Sequence, residues 1–265
     1  MSIFDCTEVY IISLDKTLAD FQDIVKYFPH AQVVKAVDMR GVEVSTLPNE
    51  EVSMRAKLSI RRGQDTSEDV VSGGSVGCSK SHLKCWNKFL ATNAPYCVVL
   101  EDDVVLRKEK MYQLPRYINS ADKMGADIVS FGAIYQGIST DNLFKKHDQY
   151  AVQVYMFLLT HAQKITRRGA QILVKYFYPI NMQVDGYIST LARFGYLVAS
   201  APRHQIIRQR LSLTSSVQQV LLPMKTYMPR CNGSYLVIFL VIIILLTLFI
   251  ASLAVCIKKE SAFTD

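Results

Sequence analysis

The chain has 265 residues, a mass of 30.0 kDa and a formal net charge of +7. Half of its residues are apolar and a fifth are charged, which excludes a disordered chain. Six cysteines in this length are too few for a disulfide scaffold. The length allows one large domain or two small ones.

The first half of the chain alternates between strand and helix patterns. Apolar spacing predicts the elements in this order: strand 8–14, helix 17–28, strand 32–37, a helix near 50–60, helix 79–91, strand 96–106 and helix 108–124. The β-α-β start predicts parallel strands with a right-handed crossover. Glycines at 73–77 are expected to break the chain before the helix at 79–91.

The second half continues the alternation until residue 201. The predicted elements are strand 126–134, strand 150–160, helix 166–177, helix 184–194 and strand 196–201. Residues 202–230 are basic and lack clear periodicity, which indicates an extended arm. Together the elements predict a single α/β domain over residues 1–210, built on a mostly parallel sheet.

One segment has the length and composition of a membrane span. Residues 235–257 are uncharged, and as a helix they would extend roughly 34 Å. We expect a C-terminal anchor, preceded by a basic juxtamembrane arm (211–234) and followed by a short tail (258–265). Because the N-terminus lacks signal-peptide features, the large domain is expected in the cytosol.

The positive charge lies before the span and suggests attraction to anionic lipid or to a phosphorylated substrate. No run of five or six basic residues and no nucleic-acid-binding motif accompanies it, so nucleic acid is not an expected partner.

Three adjacent carboxylates interrupt the apolar pattern at 96–106. On a continuous strand, alternation would place Glu101 and Asp103 on one face and Asp102 on the other. Two carboxylates on one face can converge on a hard divalent cation, which would neutralise a diphosphate leaving group. Alternatively, the strand ends at Glu101 and the acids are solvated in a loop.

A second polar segment, residues 77–86, follows the glycines. If the helix begins here, Ser81 and His82 lie in its first turn, where amides and hydroxyls can bind a phosphate or a sugar. In the alternative, Ser79 or Ser81 is the helix N-cap and His82 is a structural side chain.

The cysteines indicate a reducing compartment and no zinc motif, because none forms a C-x-x-C pair. Cys78, Cys85 and Cys97 are expected to be small buried hydrophobes. Cys231 and Cys256 lie near the predicted span.

Several of these segments together resemble glycosyltransferase family 25, whose members include lipopolysaccharide and procollagen galactosyltransferases. The matching blocks are VYIISLDK (9–16), AVD (36–38), VGCSKSHLKCW (76–86), YCVVLEDDVVL (96–106), ITRRGAQILV (165–174) and VDGY (184–187). The resemblance covers roughly residues 8–210.

The resemblance implies a GT-A-like, Rossmann-type fold. It implies inverting transfer of a hexose, galactose or glucose, from a UDP-sugar to a hydroxyl of a glycan, a lipid-linked glycan or a protein. It also implies a divalent cation, Mn²⁺ or Mg²⁺, held by Glu101 and Asp103. Asp15, Ser81, His82 and Asp102 are expected to contact the nucleotide sugar.

Asp185 is the candidate general base, because inversion needs a group that takes the acceptor's proton. It could instead be a helix N-cap or assist the metal. The sequence departs from the family at Ser13 (usually Asn), at Ser75-Val76, and before Ile165. The alternative hypothesis is therefore a catalytically inactive membrane adaptor or binding protein on the same scaffold.

Overall fold

The computed structural model describes residues 7–62, 69–70, 72–133, 148–156 and 158–210. The chain divides into two units, Met1–Gln219 and Val220–Asp265, and every described residue belongs to the first. The predicted boundaries at 210, 234 and 257 stay predictions.

A seven-stranded sheet forms the centre of the described unit, with the spatial order β2-β1-β3-β7-β5-β8-β6. Strands β4 and β9 form a separate two-stranded antiparallel sheet. The strands are β1 Glu8–Ser13, β2 Ala31–Lys35, β3 Tyr96–Glu101, β4 Val104–Leu106, β5 Ile128–Ser130, β6 Ala151–Val154, β7 Ala162–Thr166, β8 Ala199–Pro202 and β9 Ile207–Gln209. Five of the seven strands run in one direction, and β7 and β6 run against them. The predicted mostly parallel α/β sheet is thus confirmed.

Helices cover both faces of this sheet. The α-helices are α1 Gln22–Val25, α2 Met54–Arg62, α3 Gly73–Leu90, α4 Leu114–Lys123, α5 Arg167–Lys175 and α6 Val184–Arg193. Short 3-10 helices lie at Leu18–Phe21, Val44–Thr46 and Lys108–Gln113. One core cluster joins the sheet to α3, α5 and α6, and a second joins it to α1 and α4.

Strand β1 illustrates how the sequence directs this layering. Tyr10 and Ile12 belong to the core on the α3 side, whereas Val9 and Ile11 belong to the core on the α4 side. Successive side chains of a strand point to opposite faces, and here both faces are buried. This explains why the four central positions of the strand, residues 9–12, are all apolar. The predicted parallel pairing of β1 with β2 is confirmed.

The predicted start of the third helix is wrong. Helix α3 begins at Gly73, not at residue 79, and Ser72 caps it by accepting a 3.3 Å hydrogen bond from the amide of Ser75. The glycines lie inside the helix because it packs closely against the chain that follows β2. A Cβ atom on Gly77 would lie 2.6 Å from the carbonyl oxygen of Val37, and one on Gly73 would lie 2.5 Å from that of Met39.

Three other predicted elements differ from the structure. The helix predicted at 17–28 is a 3-10 turn followed by the single-turn helix α1. The strand predicted at 150–160 is only Ala151–Val154, and the central strand β7 was not predicted. The predicted irregular arm contains β9, which pairs with β4.

The predicted membrane span, residues 235–257, lies outside the described residues and stays a prediction. Within the described ranges, no helix has the length and apolar composition needed to cross a bilayer.

Candidate active site

The site lies where β1, β2 and β3 end. These three neighbouring strands are parallel, so their carboxyl ends meet at one edge of the sheet. Asp15 follows β1, Asp38 follows β2, and Glu101 is the last residue of β3. In open α/β sheets, ligands bind at this edge.

The acidic segment is not one continuous strand, contrary to the first interpretation. β3 ends at Glu101, the chain turns through Asp102 and Asp103, and Val104 starts a strand that pairs with β9. Different partner strands therefore divide the apolar run: β1 and β7 pair with β3, while β9 pairs with β4. Strand alternation does not describe the three acids, and the turn determines where each side chain lies.

Glu101 accepts two hydrogen bonds on the same carboxylate oxygen. His82 Nε2 lies 3.0 Å from Glu101 Oε1, and the hydroxyl of Thr160 donates to Oε1 over 2.9 Å. Burial raises the pKa of Glu101, but His82, His161 and Thr160 together outweigh burial and hold the pKa below its usual value. The group is therefore a carboxylate at neutral pH. Its side chain remains 19% exposed, so Glu101 can reach a ligand.

Asp103 is held by the segment that contains β9. Gln209 Nε2 donates to Asp103 Oδ2 over 2.8 Å, and the amide of Arg210 donates to the Asp103 carbonyl oxygen over 2.7 Å. The other carboxylate oxygen, Oδ1, is buried and has no hydrogen-bond partner among the described residues. Burial, together with the negative charge of Glu101, raises the pKa of Asp103 to about 6. The charges of Glu101 and Asp103 therefore interact at the turn.

Asp102 lies on a different side of the turn and binds β1. The hydroxyl of Ser13 donates to Asp102 Oδ2 over 2.8 Å, and Lys16 Nζ donates to the Asp102 carbonyl oxygen over 2.8 Å. Ser13, where the family usually has Asn, therefore ties the end of β1 to the acidic turn. Of the Asp102 side chain, 37% is exposed and therefore accessible to a ligand. Its contact with the sugar nucleotide stays a prediction.

Ser81 and His82 lie in the third turn of α3, not in its first, so the predicted anion site at their helix terminus is wrong. Ser81 Oγ donates to the carbonyl oxygen of Gly77 over 2.7 Å and accepts from the amide of Val37 over 2.8 Å. Both bonds are internal to the fold, and they fix α3 against the segment after β2. The N-cap alternative for Ser81 is also wrong, because Ser72 is the cap.

His82, in contrast, points at the acidic turn. The side chain is completely buried, Nε2 contacts Glu101, and Nδ1 has no partner within the described part of the chain. The ring of Trp86, one turn further along α3, lies 6.0 Å from the imidazole centroid. The structure thus brings His82 together with Glu101, and the contact of Ser81 and His82 with a nucleotide sugar stays a prediction.

Asp185 lies in the first turn of α6, and its charge acts on the same region. Its Oδ2 accepts a 3.3 Å hydrogen bond from the amide of Leu159, and its Oδ1 accepts a 2.8 Å bond from the amide of Gly186. Gln183, not Asp185, is the N-cap residue. Burial, with a contribution from Glu101, raises the pKa of Asp185. Leu159 has φ of +77°, a left-handed conformation that non-glycine residues rarely adopt.

Asp15 stands apart from this group. Asp15 is exposed, and its negative charge interacts electrostatically with the guanidinium of Arg40. Arg40 itself forms a two-point ion pair with Asp38, with distances of 2.9 and 2.6 Å. A role for Asp15 in nucleotide binding stays a prediction.

Sequence reasoning missed three residues that contact the site: Cys78, Thr160 and Gln209. The thiol of Cys78 lies within 4.8 Å of a Glu101 carboxylate oxygen, and the charges of Glu101, Asp185 and Asp103 act on it electrostatically. Thr160 lies just before the unpredicted strand β7, and Gln209 is the last residue of the unpredicted strand β9. For β9 the sequence signal is weak. Ile207 is buried, Arg208 is exposed and Gln209 is half-buried, which is the alternation of a strand but over only three residues.

A comparison of the sequence with protein-family models finds a match that includes most residues of this site. Residues 6–188 match the model of glycosyltransferase family 25 (LPS biosynthesis protein), which is more than half of the chain. The chain belongs to glycosyltransferase family 25. A search among curated proteins finds no match. The family indicates a glycosyltransferase, and its matched region contains β1, α3, the acidic turn and Asp185. Gln209 and Arg210, which hold Asp103, lie beyond the matched region.

Proposed function

We propose that this family 25 glycosyltransferase moves a hexose from a UDP-sugar to an acceptor hydroxyl with inversion, assisted by a divalent cation. The observation that carries the proposal is the acidic turn at the carboxyl edge of the sheet, where Glu101 and Asp103 interact electrostatically and Asp103 Oδ1 is buried without a hydrogen-bond partner among the described residues. A glycan, a lipid-linked glycan or a protein would supply the hydroxyl, and residues 235–257 would anchor the cytosolic domain to a membrane.

The donor atoms at the acidic turn fit a hard cation. Asp103 Oδ1 is a buried oxygen without a hydrogen-bond partner in the described residues, and both donors to Glu101 use Oε1. Carboxylate oxygens suit Mn²⁺ and Mg²⁺. Glu101 and Asp103 would hold the ion, which when bound would neutralise the charge of the leaving diphosphate.

Asp185 has the environment of a general base. Its carboxylate is oriented by two backbone amides, and burial raises its pKa, which strengthens it as a proton acceptor. In the proposed reaction Asp185 takes the proton of the acceptor hydroxyl while that oxygen attacks the anomeric carbon. His82 and Thr160 keep Glu101 in one rotamer by their two hydrogen bonds.

The test is a screen of UDP-sugars with and without Mn²⁺, reading thermal stabilisation and sugar transfer by the full-length chain. Asp103→Asn should abolish the manganese-dependent stabilisation and lower turnover at least ~100-fold, a loss of the size seen when one charge-stabilising group is removed. The matched control is Asp23→Asn, which removes an exposed carboxylate paired with Lys108 on the surface. The control should behave as the unmodified protein does.

Unchanged transfer by Asp103→Asn would refute the proposed role of the acidic turn. Binding of UDP without turnover of any sugar would favour the inactive adaptor instead. Salt-sensitive binding of anionic lipid or nucleic acid that needs no metal would favour a function based on the net charge of +7.

A further inference from the structure

Helix α3 presents a second set of ligand atoms to the acidic turn. Cys78 and His82 are four residues apart and so lie on one face of the helix. Glu101, at the end of β3, faces them. The thiol sulfur, an imidazole nitrogen and a carboxylate oxygen of these residues all lie within 4.8 Å of one another.

The imidazole of His82 has binding capacity that the fold does not use. It is completely buried, and its Nδ1 has no hydrogen-bond partner in the part of the chain that the structure describes. Buried polar atoms are nearly always satisfied, so the unpartnered Nδ1 shows that the fold leaves one coordination position of this imidazole unused. Asp103 and Asp185 add negative charge around the same thiol, which favours a cation.

We propose that Cys78, His82 and Glu101 form a binding site for Zn²⁺. Zinc accepts sulfur, nitrogen and oxygen donors in one tetrahedral shell, with bonds of about 2.0–2.3 Å, and three protein ligands leave a fourth position for water. Ligand atoms around such an ion lie roughly 3.3–3.8 Å apart. The three ligand atoms lie within 4.8 Å of one another, which is near that spacing, and His82 Nε2 and Glu101 Oε1 are 3.0 Å apart. A thiolate selects zinc over manganese, which prefers oxygen ligands.

The zinc site shares Glu101 with the cation site of the proposed function. If that function is correct, the two ions exclude each other, and zinc inhibits transfer by withdrawing Glu101 from the cation that would neutralise the leaving diphosphate. This consequence rests on the proposed function. Zinc binding itself does not, because it is measured without any sugar nucleotide.

The experiment uses Co²⁺ as a spectroscopic substitute for zinc. The full-length chain, reduced with a phosphine that does not chelate metals, is titrated with Co²⁺ in the absence of nucleotide. Direct sulfur ligation gives a thiolate-to-cobalt charge-transfer band, and added Zn²⁺ should remove it. Competition against a chromogenic chelator then gives the zinc Kd.

The variants assign the ligands. Cys78→Ser should lose the charge-transfer band, and His82→Gln should weaken zinc binding at least ~10-fold, since even indirect support of a ligand contributes that much. Cys85→Ser is the matched control, because this buried thiol lies on the same helix outside the trio, and it should keep the band. Fluorescence of Trp86, the one tryptophan of the chain, verifies that each variant is folded.

Three results would overturn the inference: no charge-transfer band in the unmodified protein, a band that persists in Cys78→Ser, or zinc binding lost in Asp103→Asn. The last variant separates the two proposals, because it should lose manganese-dependent stabilisation and keep the cobalt band. Absence of sugar transfer in every condition would count against the proposed function alone and leave the zinc result standing.

Discussion

Replacing Gly77 by alanine tests why the glycine-rich segment precedes the His82 turn. The new Cβ atom would lie 2.6 Å from the carbonyl oxygen of Val37 and 3.3 Å from side-chain atoms of Met39. The first neighbour is backbone, so it cannot rotate away. Either α3 or the segment after β2 must move, and the 2.8 Å hydrogen bond from the Val37 amide to Ser81 Oγ would be strained.

The expected cost combines three effects of different sign. Overpacking a buried site costs about 1–3 kcal/mol. Weakening a buried hydrogen bond adds about 1 kcal/mol. Alanine gains about 1 kcal/mol over glycine as a helix former, which offsets part of the loss. We therefore expect Gly77→Ala to lower the free energy of unfolding by roughly 1–3 kcal/mol.

Urea unfolding followed by Trp86 fluorescence measures this change, because Trp86 is buried on the same helix. Asn87→Ala is the control: it places an alanine at an exposed position of α3, where helix propensity should slightly stabilise the fold. If Gly77→Ala equals or exceeds the unmodified protein in stability, close packing is not the reason for the glycine. The phosphate-binding interpretation of the segment would then return.

Two further changes probe other parts of the fold. Asp127→Ala should lower the free energy of unfolding by about 2–4 kcal/mol in the same urea assay, because it removes the buried acceptor of the Val198 amide (2.8 Å) and of Arg168 (2.5 Å); a loss below about 0.5 kcal/mol would contradict this. Asp148→Asn should change the pH dependence. Burial raises the pKa of Asp148, but hydrogen bonds from Ser120 and the amides of Ala151 and Tyr150 outweigh it and hold the pKa below its usual value. The folded state therefore favours the ionised form, a stabilisation present at neutral pH and lost as the pH falls through the folded-state pKa. Melting temperatures of both proteins between neutral pH and about pH 3 should converge at the acid end, and parallel curves would refute the assignment.

The sequence predicted the elements whose pattern is local. β1 and β3 are apolar on both faces, and α5 and α6 carry regular apolar stripes, so their existence and order were predicted correctly. Two helix starts, predicted at residues 166 and 184, were placed within one residue, since α5 begins at Arg167 and α6 at Val184. These signals need no knowledge of distant contacts.

Strand β7 could not be predicted because its side chains follow neither pattern. It contains Gln163 and Lys164, both buried. Lys164 is tolerated because its ammonium pairs with Asp122 and lies over the ring of Tyr96. Burial of these polar residues depends on β3 and β5, which lie on either side of β7 in the sheet. That dependence is tertiary, so no local window of the sequence reveals it.

The start of α3 shows the same limit in another form. Consecutive glycines normally lower helix propensity, and the pattern favoured a loop at 73–77. The structure has a helix there because the carbonyls of Val37 and Met39 come too close for any Cβ atom. The energetic gain from packing exceeds the propensity cost. As a result, His82 lies deep in the helix, where it can face Glu101 rather than a ligand at the helix end.

The geometry of the acidic turn also depends on distant contacts. A continuous strand would have fixed Glu101 and Asp103 by alternation, but the turn makes their relation depend on what holds Asp103. Gln209 and Arg210 provide that support, and both lie beyond residue 188, where the family match ends. The two carboxylates are thus positioned from opposite sides: Glu101 by α3 and Thr160, inside or next to matched elements, and Asp103 by β9. A change in β9 should therefore alter the geometry of the acidic pair without touching any residue of the family motif.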